Sequence, residues 1–166
     1  GDFDSTTSEE RSDEVNVFWV EQSNVSLHFS DKKFLKELSH EAWVNYIETT
    51  FLDKTEYDCL FIPTHIDSHF EHGIVNELAL PLTRIKNLSI IEYRTPSTLD
   101  SWSPNAFVDI TEQFEDKCER LEAFKSQSHR WYFQKELLTA FHSNFQSHKK
   151  GIKYSEKFKI VELYRM

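Results

Sequence analysis

The stretch Pro63-Thr64-His65-Ile66-Asp67-Ser68-His69-Phe70-Glu71-His72 places three imidazoles and two carboxylates within ten consecutive residues. Neutral imidazole and carboxylate are donors that suit zinc, and a catalytic zinc takes three protein ligands and keeps one position for water. The same imidazoles can carry protons near neutral pH. His69 and His72 are three residues apart, so on a first helical turn both project to one side. His65 and His69 have the spacing of a metalloprotease helix, but Ile66 stands where that chemistry needs glutamate, so the protease reading fails. The plainer alternative is a loop of solvent-exposed histidines that hold no metal.

Positioning such a loop takes a strand before it and a helix after it. Cys59 to Ile62 is an uninterrupted apolar run closed by Pro63, the pattern of a strand buried on both faces of a parallel sheet. From His69 the apolar positions Ile74, Leu78, Leu82 and Ile85 fall in helical register, with Pro81 expected to kink or weaken the helix. Leu88 to Tyr93 reads as the next strand. Strand, loop, helix and strand over residues 58–93 make a βαβ unit, with the histidine loop at the carboxyl end of its first strand, where α/β sheets bind ligands.

The flanking sequence supplies further elements. Ser8 with Glu9 and Glu10 predicts a helix start, and the helix runs to about Gln22. Val25–Phe29 is a short β-prone run. Ser39 reads as the N-cap of a helix whose Trp43, Tyr46, Ile47 and Thr50 or Phe51 share a face. Arg94 to Asn105 reads as a surface loop, Phe107 to Ile110 as a strand, and Thr111 as the cap of a helix with the stripe Phe114, Cys118, Leu121 and Phe124 or Lys125. A helix from Trp131 to His148 and a strand from Phe158 to Leu163 complete the chain. His129, His142 and His148 read as ordinary surface histidines.

Composition removes several function classes. Apolar residues at 39% and aromatics at 14% allow a core of a size that disordered segments lack, so one globular domain is expected. A net charge of -9 argues against nucleic acid, whose phosphates need clustered Lys and Arg. The glycines are only Gly1, Gly73 and Gly151, too few for a phosphate-cradling P-loop or a dinucleotide fingerprint. Cys59 and Cys118 have no CxxC spacing and read as buried, reduced thiols of a cytoplasmic protein. No apolar stretch approaches the roughly 20 residues of a membrane span.

The histidine loop resembles the second motif of the PIG-L/LmbE family of zinc-dependent sugar N-deacetylases, in which a His-x-Asp-His tetrad opens a helix after a strand. The tetrad here is His69-Phe70-Glu71-His72. Further features follow in family order: Phe107-Val108-Asp109-Ile110, Lys117 with Ser126-Gln127 nine residues later, and Tyr154, Glu156 and Phe158 leading into the last strand. Upstream, Gly1 with Glu10-Arg11-Ser12-Asp13-Glu14 is similar to the family's glycine and RxxE segment, and Leu27-His28-Phe29-Ser30-Asp31 to its strand-then-aspartate segment. The resemblance implies a Rossmann-like, three-layer α/β fold with a mainly parallel sheet flanked by helices, residues 1–166 forming the later part of one family domain with Cys59–Ile62 central.

The family's His-Pro-Asp-Asp strand end, which supplies two zinc ligands and the general base, has no counterpart here. The expectation is therefore that a segment upstream completes the site, and that this chain alone binds zinc weakly and is inactive. By resemblance, His72 is the third zinc ligand and His69 the general acid and oxyanion donor. Glu71, in place of the usual aspartate, orients His69; its alternative is an exposed carboxylate at a helix start. Arg11 binds substrate oxygens, or pairs with Glu14. Asp31 accepts bonds from sugar hydroxyls, or caps the segment after its strand. The implied substrate is an N-acetylated amino sugar or glycoconjugate. The competing expectation is a non-catalytic carbohydrate- or protein-binding domain on the same scaffold. A closed structural zinc module is a poor third, since it wants four ligands of Cys/His type.

Overall fold

The computed structural model describes residues 7–20, 22–29, 37–84, 87–144 and 151–163. The chain divides into two compact units, Phe34–Val108 with Glu156–Met166, and Gly1–Lys33 with Asp109–Ser155.

The unit that carries the histidine loop is a mixed α/β structure. Ser39 caps α2 (His40–Ile47), its side chain accepting the Ala42 N–H, and the helix continues through a wider turn in which the Asp53 N–H reaches the Glu48 carbonyl. β1 (Cys59–Pro63) leads through the loop to α3 (Phe70–Ala79). Pro81 ends α3 as its missing N–H requires, and a short 3-10 segment, Leu80–Arg84, follows. β2 (Ser89–Tyr93) then lies parallel to β1 in the register Cys59↔Ser89 to Pro63↔Tyr93. The expected βαβ unit is thus present. Leu52, Leu82 and Leu88, packed with Val44, Ile47 and Leu60, form one apolar cluster, and Ile62, Ala79 and Ile90 form a second.

The rest of the sheet departs from the mainly parallel, centrally placed expectation. β3 (Ala106–Asp109) and β4 (Ser155–Glu162) join it in the order β1-β2-β4-β3. β4 runs antiparallel to β2, with Ile91 opposite Ile160 and Tyr93 opposite Phe158. Asn105 tethers the start of β3, its side chain donating to the Ile160 carbonyl and accepting the Ile160 N–H at 3.1 and 2.7 Å. Among the described strands β1 is therefore at the edge, and it is not buried on both faces: Phe61 is 59% exposed and meets the Phe158 ring at 5.7 Å. A continuous apolar run does not reveal how many neighbours a strand has, since an aromatic on an open face reads the same as one in a core.

The other unit holds three helices among its described residues. α1 (Ser8–Trp19) is capped by Thr7 rather than Ser8, in a reciprocal capping box with Glu10. Val25–Phe29 forms no strand. α4 (Phe114–Leu121) starts without help from Thr111, whose hydroxyl instead accepts the N–H groups of Lys153 and Tyr154. The expected helix from Trp131 is broken into a 3-10 turn, Trp131–Phe133, and α5 (Lys135–His142). Phe114 is buried in a stack on Tyr154, with ring centroids 3.8 Å apart. His142, expected at the surface, is also buried, against Phe114 and Phe141; His148 lies outside the described residues. Cys59 and Cys118 are half-buried free thiols. No helix among the described residues is long and apolar enough to cross a membrane.

Candidate active site

The candidate site is built on two loops that follow the carboxyl ends of parallel strands, residues 64–69 after β1 and residues 94–99 after β2. Main-chain bonds stitch them together: the Ser68 N–H to the Ser97 carbonyl and the Leu99 N–H to the Ile66 carbonyl, both 3.0 Å. Asp67 sits at the centre of this weave. Its side chain is fully buried. Oδ2 accepts the Thr95 and Thr98 hydroxyls at 2.5 and 3.1 Å, and Oδ1 accepts the His69 N–H at 2.8 Å. That last bond fixes the residue that opens α3.

The first turn of α3 then presents the imidazoles of His69 and His72, stacked with centroids 4.6 Å apart and planes 25° from parallel. The expectation that three-residue spacing would bring these rings together is met. His69 is exposed and Glu71 half-buried. His72 is 31% exposed, with Nδ1 turned inward to 3.2 Å from Asp67 Oδ1. Nδ1 is itself buried and makes no aligned hydrogen bond.

A second imidazole–carboxylate pair lies at the start of the loop. His65, 57% exposed, places Nδ1 3.3 Å from Oε1 of the buried Glu92 on β2. Glu92 also accepts from Asn76 Nδ2 at 3.1 Å and Trp102 Nε1 at 3.4 Å. Asn76 additionally reaches the carbonyl of Pro63 at 2.9 Å, so α3 is pinned to the end of β1. Neither Asp67 nor Glu92 stood out in the sequence as a partner of these histidines. Only the excess of Thr and Ser at residues 95–98, opposite a lone loop aspartate, hinted at a buried carboxylate.

Both carboxyls lie below their ordinary range. For Asp67, burial pushes the carboxyl up, but the donor groups gathered around it, from Thr95, Ser97, the His69 N–H and the His72 ring, outweigh it. For Glu92, burial is again the largest influence and raises it, and Asn76, Thr64, His65 and the charge of Lys159 bring it down. A carboxyl depressed on folding contributes stability above its unfolded pKa, about 3.9 for Asp, and that contribution is lost as pH falls through the folded value. Acid titration of stability in Asp67→Asn should therefore show a shallower loss below about pH 4 than the parent chain. An unchanged slope would show that Asp67 does not titrate as an isolated, stabilised carboxylate.

The remaining candidates fall elsewhere. Arg11 is exposed on α1, in the other unit. Its neighbour Glu14 clasps Ser126, accepting the backbone N–H and the hydroxyl, each at 2.7 Å. The RxxE and Ser-Gln segments noted in the sequence thus meet within one unit. Asp31 lies outside the described residues. Among the described residues no three His, Cys, Asp or Glu side chains converge in a way that could hold a metal ion.

No family model and no curated protein matches the chain. Among solved structures it is similar to the conserved protein TT1542 from Thermus thermophilus, with a TM-score of 0.70 and 17% identity over 98% of this chain and 78% of that one. At that identity the likeness establishes the shared fold.

Proposed function

We propose that the chain belongs to a zinc-dependent hydrolase of the PIG-L/LmbE type that removes the acetyl group from an N-acetylated amino sugar or sugar conjugate, on a sheet of the family's Rossmann-like kind. The observation that carries this reading is His72 at the mouth of the βαβ unit, with Nδ1 against a buried carboxylate. Metal-bound histidines almost always direct their other ring nitrogen at a carboxylate, carbonyl or water, so the residues present fit a metal ligand of this kind. Zinc bound there supplies Lewis acidity and a water that is acidic enough to act near neutral pH.

The chain's own residues have separate tasks. His72 would be one of the residues holding the metal. His69, exposed and stacked on His72, donates a proton to the departing amine and a hydrogen bond to the carbonyl oxygen as it gains charge. Glu71, half-buried on the same turn, orients His69. For Arg11 and Asp31 a role toward substrate oxygens rests on the family resemblance alone. A catalytic zinc held in this way would need two further ligands and a general base besides these residues. The deciding experiment is metal analysis of the longest natural product of the gene, with release of acetate from N-acetylglucosamine derivatives as the activity assay. One zinc per chain with turnover is the expected result. Sugar binding without metal or turnover would replace the enzyme by a binding domain. Stoichiometric zinc and turnover by these 166 residues alone would put the ligands elsewhere, with His65, Asp67 and His28 the residues to test.

A further inference from the structure

We propose that Asp67 is a positioning residue that holds His72 in the tautomer protonated at Nδ1, leaving the Nε2 lone pair free to bind a metal ion; its use rests on the deacetylase reading above. The groups around Asp67 are donors. Oδ2 takes the Thr95 and Thr98 hydroxyls, and Oδ1 takes the His69 N–H. The open side of Oδ1 faces His72 Nδ1 at 3.2 Å. Two lone pairs buried against each other repel, so this approach is favourable only when Nδ1 carries the hydrogen. Nδ1 is buried and has no other partner among the described residues, so the tautomer is set by Asp67 and nothing else described.

The attachment of Asp67 makes it a good anchor. Thr95 and Thr98 belong to the loop after β2, so the carboxylate is tied to the neighbouring strand as well as to its own loop. The His69 ring, stacked on that of His72, limits the rotation that the Asp67 contact leaves open. Carboxylate partners of metal-bound histidines typically affect metal affinity about 10–100-fold when removed. His65 on Glu92 has the same carboxylate-to-Nδ1 arrangement without Asp67, and serves as an internal control.

The test is a long-range proton–nitrogen correlation spectrum of the chain labelled with 15N-histidine, at mildly alkaline pH where imidazole is neutral. In the parent chain His72 should show the Nδ1–H pattern. Asp67→Ala should move it to the Nε2–H form or a mixture while the His65 pattern is unchanged. Asp67→Asn keeps one acceptor oxygen and should keep Nδ1–H. An Nε2–H pattern in the parent chain overturns the proposal. So does an Asp67→Ala spectrum in which neither histidine changes. If Asp67→Ala perturbs His65 as well, the loop has come apart, and the parent and Asp67→Asn spectra decide: Nδ1–H in both supports the proposal, and its loss in Asp67→Asn overturns it. An Nδ1–H His72 in a gene product that takes up no zinc removes the deacetylase reading and leaves the positioning role standing.

Discussion

On the proposed deacetylase reading, replacing His72 by Ala should remove zinc and turnover together, whereas His69→Ala should leave zinc near full occupancy and lower turnover about a hundredfold or more. The two residues share one turn of α3 and their rings stack, so a nonspecific disturbance of the turn would affect both variants alike. What separates them is the buried carboxylate. Asp67 Oδ1 faces the ring of His72 but accepts only the backbone N–H of His69. A zinc left with two protein ligands is held far more weakly, while loss of a proton donor leaves the metal in place and raises the barrier to the chemical step. Zinc content by atomic spectroscopy and kcat on an N-acetylated amino sugar give both readouts on the same samples. Equal metal loss in the two variants would make His69 a ligand. Unchanged metal and rate in both would mean that this turn takes no part in the reaction.

The largest effect on stability is expected from Phe114→Ala, about 3–5 kcal/mol. Phe114 is 1% exposed, lies flat on Tyr154 with planes 16° from parallel, and meets the buried His142 edge-on at 6.0 Å. Truncation leaves a cavity walled by two rings that are fixed from elsewhere. Tyr154 is held by the Thr111 hydroxyl and by its bridge to Ser143, so collapse into the space is limited. Against a typical total of about 5–15 kcal/mol, the variant is marginal. Urea denaturation of parent and variant measures the difference. A loss under about 1 kcal/mol would mean that the pocket relaxes around the smaller side chain.

Local signals in the sequence are legible where a residue type has one dominant structural use. Ser39 caps α2, Pro81 closes α3, and the apolar run to Pro63 is a strand that pairs in parallel with the run before Tyr93. The juxtaposition of His69 and His72 is legible from their three-residue spacing, although His69 proves to be the extended N-cap of α3, its N–H held by Asp67. What the pattern does not supply is anything set by tertiary neighbours. The edge position of β1 and the antiparallel return of β4 depend on long-range pairing that leaves no local periodicity. Asp67 and Glu92 gain their roles from Thr95, Thr98, Asn76 and Trp102, residues up to 31 positions away, and a lone aspartate in a polar loop looks the same whether buried or solvated. His142 reads as polar, followed by Ser143 and Asn144, yet the aromatic shell that buries it arrives partly from Phe114.

The way the two units are drawn from the chain bears on how the protein is made. The polypeptide passes from one unit to the other after Lys33, Val108 and Ser155. Neither unit is therefore a contiguous stretch, and no single truncation isolates either one intact. During synthesis the sheet lacks β4 long after β1 and β2 have emerged, and α1 must wait more than a hundred residues for Ser126, the partner of Glu14. Contacts of such long sequence separation close slowly, because loop-closure entropy is lost before they contribute anything. Half-made chains would meanwhile present the bare edge of β2, the edge that β4 later pairs with, to one another, which makes the arrival of β4, rather than of the core-forming middle of the sequence, the step that protects the nascent protein from association.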